Sequence, residues 1–104
     1  MDSEISDKAA GRVGRTSNAV FDLRLSHEAL KFYQKLPEKR LRQVNRAIEH
    51  LSREPLVGPQ IKRLHGSLEG SCRCRVGDLR IIYRVDTEAR IVWIETIGPR
   101  GSVY

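Results

Sequence analysis

The chain has 104 residues, 39% of them hydrophobic and 31% charged, with a formal net charge of +6. That length bounds it to one domain with one modest core, the composition is that of a soluble globular protein, and no apolar run approaches the roughly 18 residues of a membrane span. The first residues hold no apolar signal segment, so a cytoplasmic location is expected, and the basic excess points to a polyanionic partner, nucleic acid or an acidic protein segment.

Residues 1–20, "MDSEISDKAAGRVGRTSNAV", balance Lys8, Arg12 and Arg15 against Asp2, Glu4 and Asp7. The net positive charge therefore belongs to residues 21–104. Without sustained periodicity, 1–20 are expected to form a flexible extension before a single domain spanning 21–104. From Val20, "VFDLRLS" alternates, with Phe21, Leu23 and Leu25 on one face, and predicts a first strand. Ser26 is then placed to cap a helix through about Leu36, whose apolar face is Ala29, Leu30, Tyr33 and Leu36. Pro37 suits the first turn of a second helix. That helix lines up Leu41, Val44, Ile48 and Leu51, while Lys39, Arg40, Arg42 and Arg46 form a solvated basic side. Pro55 and Gly58-Pro59 end it.

Beyond Pro59 the period returns to two. "IKRLH" predicts a strand, "GSLEG" a loop, 71–76 a strand, Gly77-Asp78 a turn, 79–86 a strand and 90–97 the last one. Together these give an α+β fold: an N-terminal strand, a two-helix hairpin, then a mainly antiparallel sheet of three to four strands packed on the helices.

The segment "SCRCRVGDLRIIYR" is unusual, because arginines run through what should be the middle of the sheet. A two-residue turn at Gly77-Asp78, glycine first as in type II′, sets the register. Val76 then faces Leu79, Arg75 faces Arg80, Cys74 faces Ile81 and Arg73 faces Ile82. Arg73, Arg75, Arg80 and Arg84 share one exposed face, and Cys72, Cys74, Val76, Leu79, Ile81, Tyr83 and Val85 share the buried one. Like charges directly across a ladder oppose folding by about 0.2–1 kcal/mol. Two readings follow. The guanidinium groups either splay into solvent, with Glu95 or Asp86 satisfying one of them, or they line a rigid surface for an anion such as phosphate.

Cys72 and Cys74 lie two apart on one strand, pointing the same way, which suits neither a disulfide nor a zinc site without further ligands. They read as small buried hydrophobes. His27, His50 and His65 have no carboxylate or cysteine at metal-ligand spacing, and no glycine-rich phosphate loop or nucleophile–histidine pairing is present. No metal or cofactor is expected. Arginine and tyrosine remain, a set that can cleave RNA, whose own 2′-hydroxyl is the nucleophile.

The tail "RVGDLRIIYRVD" followed by "IVWIETIGPRGSVY" resembles the RelE/ParE superfamily of toxins from toxin–antitoxin pairs. "LSHEALKFYQKLPEKRLRQVNRAIEHL" is similar to its helical hairpin, and the likeness runs from about Phe21 to the end. The resemblance is stronger to the RelE-like mRNA interferases. It implies a ribosome-dependent endoribonuclease cutting mRNA, with Arg80 at the scissile phosphate, Arg100 as general acid or phosphate ligand and Tyr104 as general base. Arg73 and Arg75 match a basic-x-basic pair that binds RNA, with Arg84 beside them. It also implies a cognate antitoxin as partner, with ribosome and mRNA as targets and no membrane. The alternative within the same superfamily is a ParE-like inhibitor of DNA gyrase.

Overall fold

The computed structural model describes residues 20–99, in the order β1 (Asp22–Leu25), α1 (His27–Gln34), α2 (Glu38–Arg53), β2 (Ile61–Arg63), β3 (Cys72–Val76), β4 (Leu79–Asp86) and β5 (Ile91–Pro99). The expected extension at 1–20 lies, but for Val20, outside them, as do Arg100 and Tyr104. The helices form where capping and charge agree. The Ser26 hydroxyl accepts the Ala29 N–H at 3.0 Å and opens α1. Pro37 caps α2 in extended backbone, with Glu38 in its first turn and His50 and Arg53 in its last, the arrangement that the helix dipole favours. Proline therefore stands one position ahead of where the sequence suggests, because its ψ of 159° is not helical.

The five strands form one sheet in the order β1-β5-β4-β3-β2. Neighbours are antiparallel except β1, which joins β5 in parallel, so the first strand pairs with the last. The four strands after the helices match the expected antiparallel sheet. The segment "IKRLH" keeps only its first three residues as strand, and "GSLEG" contains a short 3₁₀ turn at Gly66–Leu68.

Both helices pack on one face of this sheet. Ala29, Val44, Ile48 and Leu51 meet Leu23, Cys74, Val76, Leu79, Ile81, Tyr83, Val92, Ile94 and Ile97 in one core. The basic side of α2 faces outward as expected: Lys39, Arg42 and Arg46 are exposed, and Arg42 pairs with Glu38 one turn away at 3.0 Å. Arg40 is different, because it reaches Asp78 in the β3–β4 turn and ties that turn to α2.

Tyr83 is fully buried in the middle strand, and its hydroxyl donates to the Pro55 carbonyl at 2.5 Å, anchoring the chain leaving α2. Burial pushes the phenol far above its usual pKa, so it is a donor and not a base. Tyr83→Phe keeps the ring and leaves that carbonyl without its donor. The expected cost is about 1–3 kcal/mol in a urea titration, with an unchanged slope.

Candidate functional site: the arginine face of the sheet

The turn at Gly77-Asp78 sets the register that places the site. Gly77 has φ +61°, and Asp78 is not among the residues at positive φ, the sign pattern of a type II′ turn. Val76 faces Leu79, Arg75 faces Arg80, Cys74 faces Ile81 and Arg73 faces Ile82, as the sequence predicts. The pair flanking a two-residue turn, here Val76 and Leu79, is hydrogen-bonded, and the next pair out, Arg75 and Arg80, is not; pairs of that second kind are the closer ones, with Cα atoms about 4.5 Å apart. In agreement, the Arg75 N–H turns away from β4 and donates to Gln60 O at 3.0 Å. Arg75 and Arg80 therefore stand side by side, on the face away from the helices.

That face is wider than the hairpin. Lys62 on β2 faces Arg73, and Arg24 on β1 faces Trp93 of β5, which faces Arg84 of β4. Across it the arginines differ in depth. Arg75 and Arg84 are exposed and Arg73 is half-buried, but Arg80 is only 6% exposed. The expectation that Arg80 lies in the open is thus corrected. It occupies the central strand, with Arg75 beside it on β3 and Gly98 on β5, and the neighbouring Ile82 is as deeply set at 3%. At that exposure its guanidinium end is covered together with its aliphatic stem, Nε included.

Arg84 is also distinct. Its Nε donates to Glu95 Oε2 at 3.0 Å, so the solvated, carboxylate-satisfied reading holds for Arg84. Gly70, at φ +95°, lies against its guanidinium, and a Cβ there would come within 2.9 Å of the Arg84 terminal nitrogen. Glu95 reaches this face because β5 carries a bulge. Tyr83 faces Ile94 while Ile82 faces Thr96, leaving Glu95 as the extra residue. The backbone there is held by Ser26, whose N–H donates to Ile94 O at 2.9 Å and whose hydroxyl donates to Glu95 O at 2.8 Å. Simple alternation does not predict this bulge. Its signal is the spacing of buried residues in β5: Val92 and Ile94 are two apart, but Ile97 follows after three.

Cys72 and Cys74 are free and buried beneath the arginines. Desolvation pushes the Cys74 thiol up to about 11, with Arg73 pulling weakly the other way, so it is protonated at neutral pH. His50 closes the loop after α2, its Nε2 donating to Val57 O at 2.6 Å. Among the described residues, no three His, Cys, Asp or Glu side chains are grouped to hold a metal ion. No helix among them is long and apolar enough to cross a membrane.

Residues 23–104 match the family described as ParE toxin of type II toxin–antitoxin system, parDE. Toxin RelG of Mycobacterium tuberculosis is 35% identical over 86 residues, covering 81% of this chain and 95% of that protein. The toxin–antitoxin complex RelBE2 from the same organism superposes with a TM-score of 0.67 at 34% identity, over 77% of this chain and 98% of that one. The archaeal RelE–RelB complex from Pyrococcus horikoshii gives 0.66 at 27% identity, over 79% and 97%. The α+β arrangement expected from the sequence is thus that of RelE-type toxins.

The burial of Arg80 changes what its removal should do. Losing a packed stem costs about 2 kcal/mol or more, whereas relief of its repulsion with Arg75 returns at most about 1 kcal/mol. Arg80→Ala should therefore be destabilised by about 1–2 kcal/mol in chemical denaturation, and Arg80→Met, which keeps most of the stem, should recover most of the loss. An Arg80→Ala protein as stable as the parent would show that the stem is not packed.

Proposed function

The chain belongs to the ParE toxin family of type II toxin–antitoxin systems, and we propose that it acts there as a ribosome-dependent endoribonuclease that cleaves mRNA without a metal. The observation that carries this reading is the cluster of Arg73, Arg75 and Arg80 on one face of the β3–β4 hairpin. Guanidinium groups gathered on one face favour a phosphate, and more so the extra negative charge of a phosphorane.

In the proposed reaction the 2′-oxygen of one ribose attacks the adjacent phosphorus and the 5′-oxygen of the next nucleotide leaves. Arg80, held in place by its burial, stabilises the charge that develops on the non-bridging oxygens. Arg73 and Arg75 grip the flanking phosphates. Arg84 has guanidinium donors beyond the one given to Glu95 and serves a further phosphate. Tyr104 takes the 2′-hydroxyl proton, and Arg100 serves the leaving oxygen as general acid or as phosphate ligand. A free phenol, with a pKa of about 10, is a weak base at pH 7. Arg75, Arg80 and Arg100 are the candidates for the positive charge that would have to bring it into range. The ribosome supplies mRNA positioning, which such a site lacks by itself. A cognate antitoxin is the expected partner, as it is for the toxins in the RelBE2 and RelE–RelB complexes, and the cytoplasm is the expected compartment.

A second reading is favoured by the family's own description as the ParE toxin: inhibition of DNA gyrase without RNA cleavage. A purified translation reaction with a defined mRNA separates the two. Cleavage that needs ribosomes supports the first, and an intact transcript with blocked DNA supercoiling supports the second. On the first reading, Tyr104→Phe and Arg75→Ala should each lower cleavage by about 10²-fold or more. Association with ribosomes should also weaken steeply as salt rises, because counterions are released from the RNA. Efficient cutting of naked transcript would contradict the proposal.

A further inference from the structure

The chain's only tryptophan, Trp93, is 44% exposed on the arginine face. It stands in register between Arg24 on β1 and Arg84 on β4. The Arg24 guanidinium carbon lies 5.9 Å from the ring centroid, so that cation covers part of the indole. The core makes no use of this ring, since Val92 and Ile94 on either side of it in the chain fill the helix-covered face. Beside it lies an open hollow of about 450 Å³, lined by Trp93, Arg84, Gly70, Asp86 and Glu88 among others.

An exposed aromatic ring flanked by guanidinium groups, on a surface suited to phosphates, has the chemistry of a platform for a base of single-stranded nucleic acid. Arg80 and Arg84 are four residues apart on β4, about 13 Å along the strand. A base on Trp93 would thus belong to a nucleotide away from the scissile one. The carboxylates of Asp86 and Glu88 can only accept hydrogen bonds, so the base edge that meets them must donate. Cytosine presents an amino group where uracil presents a carbonyl oxygen.

We infer that Trp93 and the adjoining hollow form a nucleobase subsite for the bound RNA, stacking one base on the indole and favouring a base with an exocyclic amine. This rests on the reading of the arginine face as an RNA site. It adds a determinant of sequence preference to the phosphate grip.

Because Trp93 is the lone tryptophan, its fluorescence reports the event directly. The full chain is titrated at low salt with 2′-O-methylated oligocytidylate and oligouridylate, which cannot be cleaved, and binding is followed in parallel by anisotropy of labelled oligonucleotide. The expected result is quenching on binding, weaker binding by Trp93→Ala of about fivefold or more, and near-parental binding by Trp93→Phe. Oligocytidylate should bind about threefold or more tighter than oligouridylate, and Glu88→Gln, which can donate as well as accept, should narrow that gap. Binding with unchanged fluorescence and an unaffected Trp93→Ala protein overturns the subsite while leaving the phosphate site standing. Equal binding of the two oligonucleotides overturns the preference assigned to the carboxylates. A parent that binds neither overturns the inference, and ribosome-dependent cleavage in the translation reaction then decides separately whether the proposed function stands.

Discussion

Two arginines forced side by side across a β-ladder are the feature on which the rest of the sheet turns. Arg75 and Arg80 face each other because the Gly77-Asp78 turn admits one register, and α2 braces that turn through the Arg40–Asp78 contact. A slip of one residue would exchange the two faces of a strand, sending arginines toward the helices and Cys74, Val76 or Ile81 into water. The energies decide which pattern wins. Like charges opposite one another cost about 0.2–1 kcal/mol. Burying a single large aliphatic or aromatic side chain is worth about 1.5–3 kcal/mol, and this hairpin buries Val76, Leu79, Ile81 and Tyr83 together. The repulsion is thus tolerated locally, and the hydrophobic face holds the positive charge where it is.

The bulge in β5 governs the other half of that face. With Val92 and Ile94 in the core, strict alternation would turn Ile97 outward; the extra residue returns it to the helix side. The same insertion leaves Glu95 facing the arginines. It takes Arg84 and also accepts from the Ser71 hydroxyl at 3.5 Å. Ser26 connects this irregularity to the start of α1, since one hydroxyl both caps the helix and holds the bulged backbone. The face is thereby divided into a hairpin region of Arg73, Arg75 and Arg80, and an outer region where Arg84, Glu95 and Trp93 meet.

Period, turn chemistry and capping made most of this readable in advance. The alternation in 71–86 predicted which residues share a face, and a two-residue turn converts alternation into register without further information. Ser26 as a cap is legible for the same reason, because the interaction spans only three residues. What the sequence withheld depends on distant neighbours. The depth of Arg80 follows from β4 being the central strand, flanked by β3 on one side and β5 on the other. The parallel pairing of β1 with β5 joins the two ends of the domain, and no local pattern announces it. The capture of Arg84 by Glu95 is one of the two outcomes the sequence leaves open, and the bulge decides it. That bulge was visible only as a three-residue step among buried positions otherwise two apart. Arg100 and Tyr104 lie outside the described residues, so their roles rest on the resemblance.

A gradient of burial across like charges has a chemical consequence. Arg80, packed along its stem, has lost most of its rotamer freedom during folding and need not lose it again when an anion arrives. Arg75, exposed beside it, retains that freedom and can follow the substrate. A site with one fixed and one adaptable guanidinium favours the species whose charge grows at a fixed point, because only there does the fixed group gain. On the proposed function, a ground-state phosphodiester carries one negative charge and could be met by either arginine, whereas a phosphorane would concentrate more charge at the phosphorus that the fixed arginine is proposed to address. On the proposed function, the register imposed by the hydrophobic side of the hairpin thus becomes, on the opposite side, a preference for the more highly charged state.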